Sequence, residues 1–239
     1  MAVNNKLQAM NPDLENKVVE YKCGEETVAL SPTIIRKYLV NGNGAVTDQE
    51  IVMFLNLCRY QHLNPFLREA YLIKFGNQPA TIVTGKDAIT KRAMRNPAFA
   101  GQQAGVVVIS AKTGELEYRN GSLVLQGEPI VGGWAKVFVK GYAEPIETTV
   151  SFGEYVGTKN DGSINGQWAR KPATMIRKVA LVQALREAFP EDLGGLYDQS
   201  EMGLEIDESA MAPVEVPIET EVPQTMDAPH NTVEELDTF

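Results

Sequence analysis

The chain has 239 residues, 44% of them hydrophobic, which is enough for one large domain or for a domain with a tail. Its only two cysteines exclude a disulfide framework and a four-cysteine zinc site, and they fit the reducing cytoplasm. The net charge of −9 is uneven, because residues 201–239 hold 11 Asp/Glu and no Lys/Arg, whereas residues 1–200 hold 22 Lys/Arg against 20 Asp/Glu. We therefore expect a locally basic body with an acidic C-terminal segment, and no stretch is long and apolar enough to predict a membrane span.

The first part of the chain predicts helices separated by polar turns. Residues 1–30 are polar and weakly patterned, so we expect a flexible start or a short helix. Ser31 followed by Pro32 opens a short helix to about residue 40, because Ser is a preferred N-cap and Pro suits the first turn. Residues 47–50 (TDQE) match a capping box and predict a second helix to about residue 62.

A basic region follows. Residues 69–75 and 80–84 predict a β-hairpin, and residues 86–96 predict a short helix. The region 59–95 holds seven Lys/Arg against two acids, and its cations include Lys74, Lys86, Lys91, Arg92 and Arg95. This cluster is either a solvated helix face or part of a surface that binds an anion.

The middle of the chain predicts an antiparallel meander. Turn residues separate five short β runs, at residues 106–110, 115–118, 122–126, 133–140 and 146–152. Residues 157–167 are polar and rich in glycine, so we expect a flexible surface loop there.

The longest predicted helix follows this loop. Pro172 suits a first helical position, residues 173–189 contain no Gly or Pro, and Pro190 with the following glycines ends the helix. Its sides are apolar nearly all round, which predicts a buried position.

The cations of this helix have two interpretations. Arg170 and Lys171 stand at its start, and Arg177, Lys178 and Arg186 lie within it. Buried cations need anionic partners, so intramolecular salt bridges or side chains that reach the surface are one explanation. The other is a groove for a polyanion, since Lys178 and Arg186 lie about 12 Å apart along the axis and could reach different phosphates of one strand.

Enzyme chemistry has little support in the sequence. There are two histidines, no Gly-rich phosphate-binding fingerprint and no nucleophile elbow. Scattered carboxylates such as Glu69 and Asp87 leave a metal-dependent nuclease as an alternative. We expect a protein that is not an enzyme and needs no cofactor.

Four segments carry a resemblance. They are LNPF at 63–66 with EAYLIK after it, TIVTGKDAITKRA at 81–93, GGWAKVFVK at 132–140, and WARKPATMIRKVALVQALREAFP at 168–190. In this order and spacing, over about residues 45–200, the chain resembles the RecT/Red-beta (Bet) family of phage and prophage single-strand annealing recombinases.

The resemblance implies ATP-independent binding and annealing of single-stranded DNA in phage-type homologous recombination, within the cytoplasm of a bacterial host. The implied partners are single-stranded DNA, annealed duplex and further copies of the chain in a ring or helical filament, with no membrane. A 5′→3′ exonuclease and a host single-strand-binding protein are further candidate partners. A passive single-strand DNA-binding protein remains the alternative from another class.

The implied fold is α+β: a small antiparallel β-sheet or meander backed by a long basic helix, with N-terminal helices and a disordered acidic C-terminal tail. We expect residues 31–200 to form the annealing core, between a flexible start (1–30) and the tail (201–239).

The resemblance also implies DNA-binding residues. By position in the motifs these are Lys86, Lys91, Arg92, Lys171, Arg177, Lys178 and Arg186, and Arg170 and Lys74 add positive charge beside them. Ala173 and Thr174 stand where the Red-beta pattern is more basic, which implies fewer phosphate contacts.

Aromatic side chains near these cations are candidates for occasional stacking on bases. They are Tyr71, Phe75 and Trp168. Trp168 equally fits a packing anchor at the start of the long helix, and Tyr71 and Phe75 equally fit core or subunit contacts.

The acidic segment has two interpretations. It is a solubilising, disordered end, or it binds a partner protein or mimics DNA in the basic groove. Its last residues, VEELDTF, resemble the acidic tip of bacterial single-strand-binding proteins.

Overall fold

The computed structural model describes residues 17–159 and 161–202, so most of the predicted acidic tail lies outside the described residues. A β-hairpin comes first, formed by β1 (Val19–Cys23) and β2 (Glu26–Leu30). Its alternate residues Tyr21, Val28 and Leu30 are buried, which is the period of a strand with one face on a core. This hairpin corrects the expectation of a flexible or short helical start for residues 19–30.

A small three-stranded sheet and two helices follow the hairpin. The elements are α1 (Pro32–Ile34), which continues as a π-helical turn (Ile35–Leu39), β3 (Val40–Gly42), α2 (Asp48–Tyr60), a 3-10 turn (Pro65–Leu67), β4 (Ala70–Lys74) and β5 (Thr81–Thr84). Strand β4 lies between β3, which runs parallel to it, and β5, which runs antiparallel.

The sequence signals for the two helix starts are present in the structure. The Ser31 hydroxyl accepts a hydrogen bond from the Ile34 N–H. The capping box is also formed, since the Thr47 hydroxyl accepts from the Glu50 N–H and the Glu50 carboxylate accepts from the Thr47 N–H.

A four-stranded antiparallel sheet forms the centre of the chain. After α3 (Lys86–Arg95) come β6 (Phe99–Ile109), β7 (Leu116–Asn120), β8 (Ile130–Val139) and β9 (Ile146–Ser151), in the sheet order β7-β6-β8-β9. Strand β8 therefore pairs with β6 and not with β7, so the order differs from a simple meander.

The third predicted strand, residues 122–126, is absent because this segment forms a loop. The loop is held by Glu128, whose carboxylate accepts from the Leu125 N–H and pairs with Arg119 of β7.

Four helices complete the described chain: α4 (Phe152–Tyr155), α5 (Gly166–Arg170), α6 (Pro172–Ala188) and α7 (Pro190–Leu193). The described parts of the segment 157–167, which was expected to be a flexible loop, are tied into the fold. Thr158 forms a β-bridge with Ile164, and the buried Asn165 side chain accepts from the Trp168 N–H at the start of α5.

Helix α6 packs across β6, β8 and β9 and buries most of its surface. The helix backbone approaches β8 closely at Gly133, where an added Cβ would lie 2.5 Å from the Ile176 carbonyl oxygen. The fold is therefore α+β with antiparallel sheets, as predicted. One continuous core joins α6 and the four-stranded sheet to the N-terminal hairpin, α2 and α3.

We predict that Gly133→Ala destabilises the protein by about 1–3 kcal/mol, because the new methyl group meets backbone atoms that cannot move aside without shifting α6. Urea unfolding measures this change. Gly153→Ala is the matched control, since an added Cβ there has no neighbour within 4 Å. Equal unfolding midpoints for the two variants would contradict the close approach of α6 to β8.

Candidate nucleic-acid interface

A cavity of about 640 Å³ lies between the turn before β4, helix α3 and helix α6, and we call it the basic groove. Three segments that are distant in sequence supply its cations, which are Arg68, Lys86, Lys91, Arg177 and Lys178. Its acids are Glu69 and Asp87, and Tyr71 contributes an aromatic wall. The structure thus brings together Tyr71 and four of the predicted cations, and it adds Arg68.

Arg177 is held in place by the sheet. Its Nε donates to the Ala104 carbonyl of β6 over 3.1 Å, and its side chain is half-buried. Within the described residues it forms no ion pair, so its positive charge is not neutralised by a carboxylate. Arg177 is therefore well suited to receive a phosphate.

The other two cations within α6 form the intramolecular salt bridges that were one interpretation of this helix. Lys178 Nζ lies 3.1 Å from an oxygen of Asp198, whose side chain is 1% exposed. Arg186 pairs with Glu201 and also donates to the Leu196 carbonyl over 3.0 Å.

Both acidic partners belong to the segment after α7. Arg186 does not line the basic groove, because it is bound to this segment and lies over the Tyr197 ring at 4.5 Å. Lys178 lines the groove and is neutralised at the same time.

The two groove cations from α3, Lys86 and Lys91, are also paired. Lys86 forms an ion pair with the highly exposed Asp87, which contributes little because water screens it. Lys91 Nζ lies 2.8 Å from Glu69, whose other oxygen accepts from the Asn64 N–H over 2.8 Å. Burial would raise the pKa of Glu69, but the hydrogen bonds from Asn64 and Lys91 outweigh it and lower the pKa. Glu69 therefore stays ionised in the wall of the groove.

Trp168 is a packing anchor in this structure. Its side chain is 1% exposed and meets the Phe152 ring edge to face, with centroids 5.6 Å apart. No face of the indole is open to a base, so the stacking interpretation of Trp168 is corrected. Phe75 is exposed, but the basic groove does not include it.

Lys74 is also buried, which corrects its assignment to a DNA surface. Its side chain is 7% exposed, and its Nζ lies 2.6 Å from Glu50 at the start of α2. The pair joins β4 to α2 and leaves the ammonium group without access to a ligand.

The remaining predicted cations lie outside the basic groove. Arg170 and Lys171 are exposed at the junction of α5 and α6. Arg92 points to a neighbouring cavity and donates to the Gln61 carbonyl over 2.6 Å.

Arg68 was not singled out from the sequence, although it belongs to the basic region 59–95. It follows the 3-10 turn and has a left-handed backbone with φ of 61°. The Asn64 side chain accepts from the Phe66 N–H and fixes this turn, so the motif LNPF sets the position from which Arg68 enters the groove.

Between residues 17 and 202, leaving out residue 160, no helix is long and apolar enough to cross a membrane. The same ranges hold no group of three His, Cys, Asp or Glu side chains that fits a metal ion.

We predict that Glu50→Gln flattens the acid dependence of stability. Burial would raise the pKa of Glu50, but hydrogen bonds from Lys74 and from the Thr47 and Ala80 N–H groups hold it at about 2, below its ordinary 4.5. The ionised form therefore stabilises the fold above about pH 4.5, and this contribution is lost as the pH falls toward 2. Urea unfolding between pH 2 and 6 measures it.

Glu25→Gln, in the exposed turn between β1 and β2, is the control and should keep the acid dependence of the unaltered protein. If Glu50→Gln and Glu25→Gln respond to acid in the same way, the stabilising role of the ionised Glu50 is wrong.

Over most of its length the chain is similar to a known family of proteins. The model of the RecT family matches residues 25–215, which include all the cations of the basic groove. A curated protein of Ureaplasma parvum serovar 3, named "Uncharacterized protein UU154", is 32% identical over 165 residues. That alignment covers 66% of this chain and 64% of the relative's length. Since the family model covers most of the sequence, the chain belongs to the RecT family.

Proposed function

We propose that this chain binds single-stranded DNA through its phosphates in the basic groove and anneals complementary strands without ATP. The observation that carries the proposal is the convergence of five cations from three separate segments on one groove, with Arg177 free of any carboxylate partner among the described residues. Membership of the RecT family supports the same function.

Contacts to phosphates suit annealing because they leave the bases free to pair. Lysine and arginine side chains supply such contacts without reading sequence. Tyr71 is the aromatic residue that lines the groove, and it is largely buried against the wall. A strand in this groove is therefore held by its backbone and is not trapped by stacking on every base.

The carboxylates in and beside the groove set the order of these contacts. Lys91 and Lys178 are paired with Glu69 and Asp198 in the free protein. A phosphate must compete with these acids, whereas Arg177 offers its charge directly. We therefore assign the first contact to Arg177 and the later contacts to Lys91 and Lys178, which exchange a carboxylate for a phosphate.

Several copies of the chain act together in this proposal, as a ring or filament. Strand β7 is an edge of the four-stranded sheet, and edge strands offer unpaired backbone groups to another chain. Leu116 and Tyr118 on β7 and Leu123 and Leu125 after it are each at least half exposed. An apolar surface of this kind beside an open edge favours a contact between copies.

We extend the proposal to partners outside the complex of DNA and protein. An exonuclease that resects 5′→3′ would supply the single strands, and a host single-strand-binding protein would cover them first. Family membership supports both partners, and we place the activity in the cytoplasm of a bacterial host.

Two labelled complementary oligonucleotides, mixed with the protein without ATP or metal ions, test the function. We expect duplex formation to be faster than without protein. Binding without acceleration would indicate a passive single-strand-binding protein, and cleavage that depends on Mg²⁺ would indicate a nuclease.

We predict that Arg177→Ala weakens binding of a single-stranded oligonucleotide about tenfold, since one charged hydrogen bond to phosphate is lost. The slope of log affinity against log salt should become shallower by about 0.7. Fluorescence anisotropy at several salt concentrations measures both quantities.

The control is Lys112→Ala, which removes a cation from the exposed turn between β6 and β7, outside the groove. It should leave affinity and slope unchanged, and urea unfolding checks that both variants are folded. A folded Arg177→Ala protein with unaltered affinity would remove Arg177 from the proposed interface.

A further inference from the structure

A second cavity, of about 420 Å³, adjoins the basic groove. The two cavities share Glu69, Ala88 and Lys91 in their walls, so the Glu69–Lys91 ion pair lies at their junction. Beyond this pair, the second cavity is lined by Arg92 and Arg95 of α3 and by His62.

The polar side chains of the second cavity are fixed by the surrounding backbone. Arg92 donates to the Gln61 carbonyl over 2.6 Å, which holds its guanidinium at the cavity wall. His62 Nδ1 lies 2.7 Å from the Lys22 carbonyl, and because a carbonyl only accepts, Nδ1 carries the proton. The imidazole is thus oriented by the β1–β2 hairpin.

The hairpin turn also leaves room for Arg95. A Cβ at Gly24 would lie 3.7 Å from Arg95 Nη2, so the exposed guanidinium extends over this turn. The cavity holds three cations and two carboxylates. Of these carboxylates, Glu69 is bound to Lys91 and Asp192 accepts from the Asn96 amide over 2.7 Å. Arg92 and Arg95 form no ion pair with any described residue, so they offer uncompensated charge to an anion.

Passage of one strand through both cavities is opposed on electrostatic grounds, because Glu69 is ionised at their junction. A phosphate that passes this point meets a buried carboxylate, and like charges repel more strongly where water is partly excluded. The junction therefore divides the path into two anion sites.

We propose that the second cavity binds phosphates of the incoming complementary strand while the basic groove holds the first strand. This inference rests on the proposed function. Helix α3 lines both cavities, so its cations hold two backbones at a fixed separation, with Lys91 at the junction. Phosphate contacts from both sides leave the bases of the two strands free to pair between them.

The test is the double variant Arg92→Ala/Arg95→Ala in the full chain. Its affinity for one single-stranded oligonucleotide should stay within about twofold of the unaltered protein, because the basic groove is intact. The rate at which the coated strand anneals with a naked complementary strand should fall about tenfold. Because two phosphate contacts are lost, the slope of log annealing rate against log salt should also become shallower by about 1.4.

Lys37→Ala/Lys112→Ala is the matched control, since it removes two exposed cations that line neither cavity. Arg95→Glu alone guards against unfolding of the double variant, because the Arg95 side chain is exposed. It should slow annealing and spare single-strand affinity in the same way, and urea unfolding checks the fold of each protein.

Two results would overturn the inference. A parallel fall in single-strand affinity and annealing rate would mean that one strand occupies both cavities. Unchanged values for both would mean that the second cavity does not bind DNA. An unaltered protein that binds no single-stranded DNA would instead refute the proposed function itself.

Discussion

The close packing of α6 on the four-stranded sheet is the constraint on which the candidate interface depends. A helix that is apolar on nearly all sides must be covered, and the sheet covers it because Gly133 lets the two backbones approach. The same contact places Arg177 next to β6, where Ala104 fixes its Nε and leaves the rest of the guanidinium for the groove. Apolar packing thus sets the position of the Arg177 charge, which is the central contact of the candidate interface.

Three cations in or near the groove are compensated by carboxylates of the same chain. Asp198 and Glu201 bind Lys178 and Arg186, and Glu69 binds Lys91. Leaving the largely buried Lys178 and Arg186 without partners would be costly, and Asp198 and Glu201 lower that cost in the free protein. The acids at 198 and 201 also tie the end of the described chain to α6, so this short segment packs against the core.

Local signals in the sequence predicted much of the fold. The N-cap at Ser31, the capping box at Thr47, the hairpin of β4 and β5 and the start of α6 at Pro172 all follow from a few adjacent residues. Features that depend on distant partners could not be read in this way. Strand β3 lies in a polar turn sequence and forms only because β4 pairs with it, and the sheet order is likewise a long-range property.

The same distinction between local and long-range features applies to the candidate site. A count of cations predicted which segments carry positive charge, and Lys86, Lys91, Arg177 and Lys178 do meet in one groove. Sequence alone could not separate Arg177 from Arg186 or Lys74, because Glu201 lies 15 residues from Arg186 and Glu50 lies 24 residues from Lys74. The sequence also could not predict that Trp168 is buried, since the Phe152 ring that it packs against belongs to another helix.

The most direct test of the account is the salt dependence of single-strand binding by the unaltered protein. Log affinity should fall linearly with log salt with a slope of about −2 or steeper, which corresponds to about three or more phosphate contacts on a single strand. An affinity that does not change with salt would contradict the central claim that cations of the basic groove hold the DNA backbone.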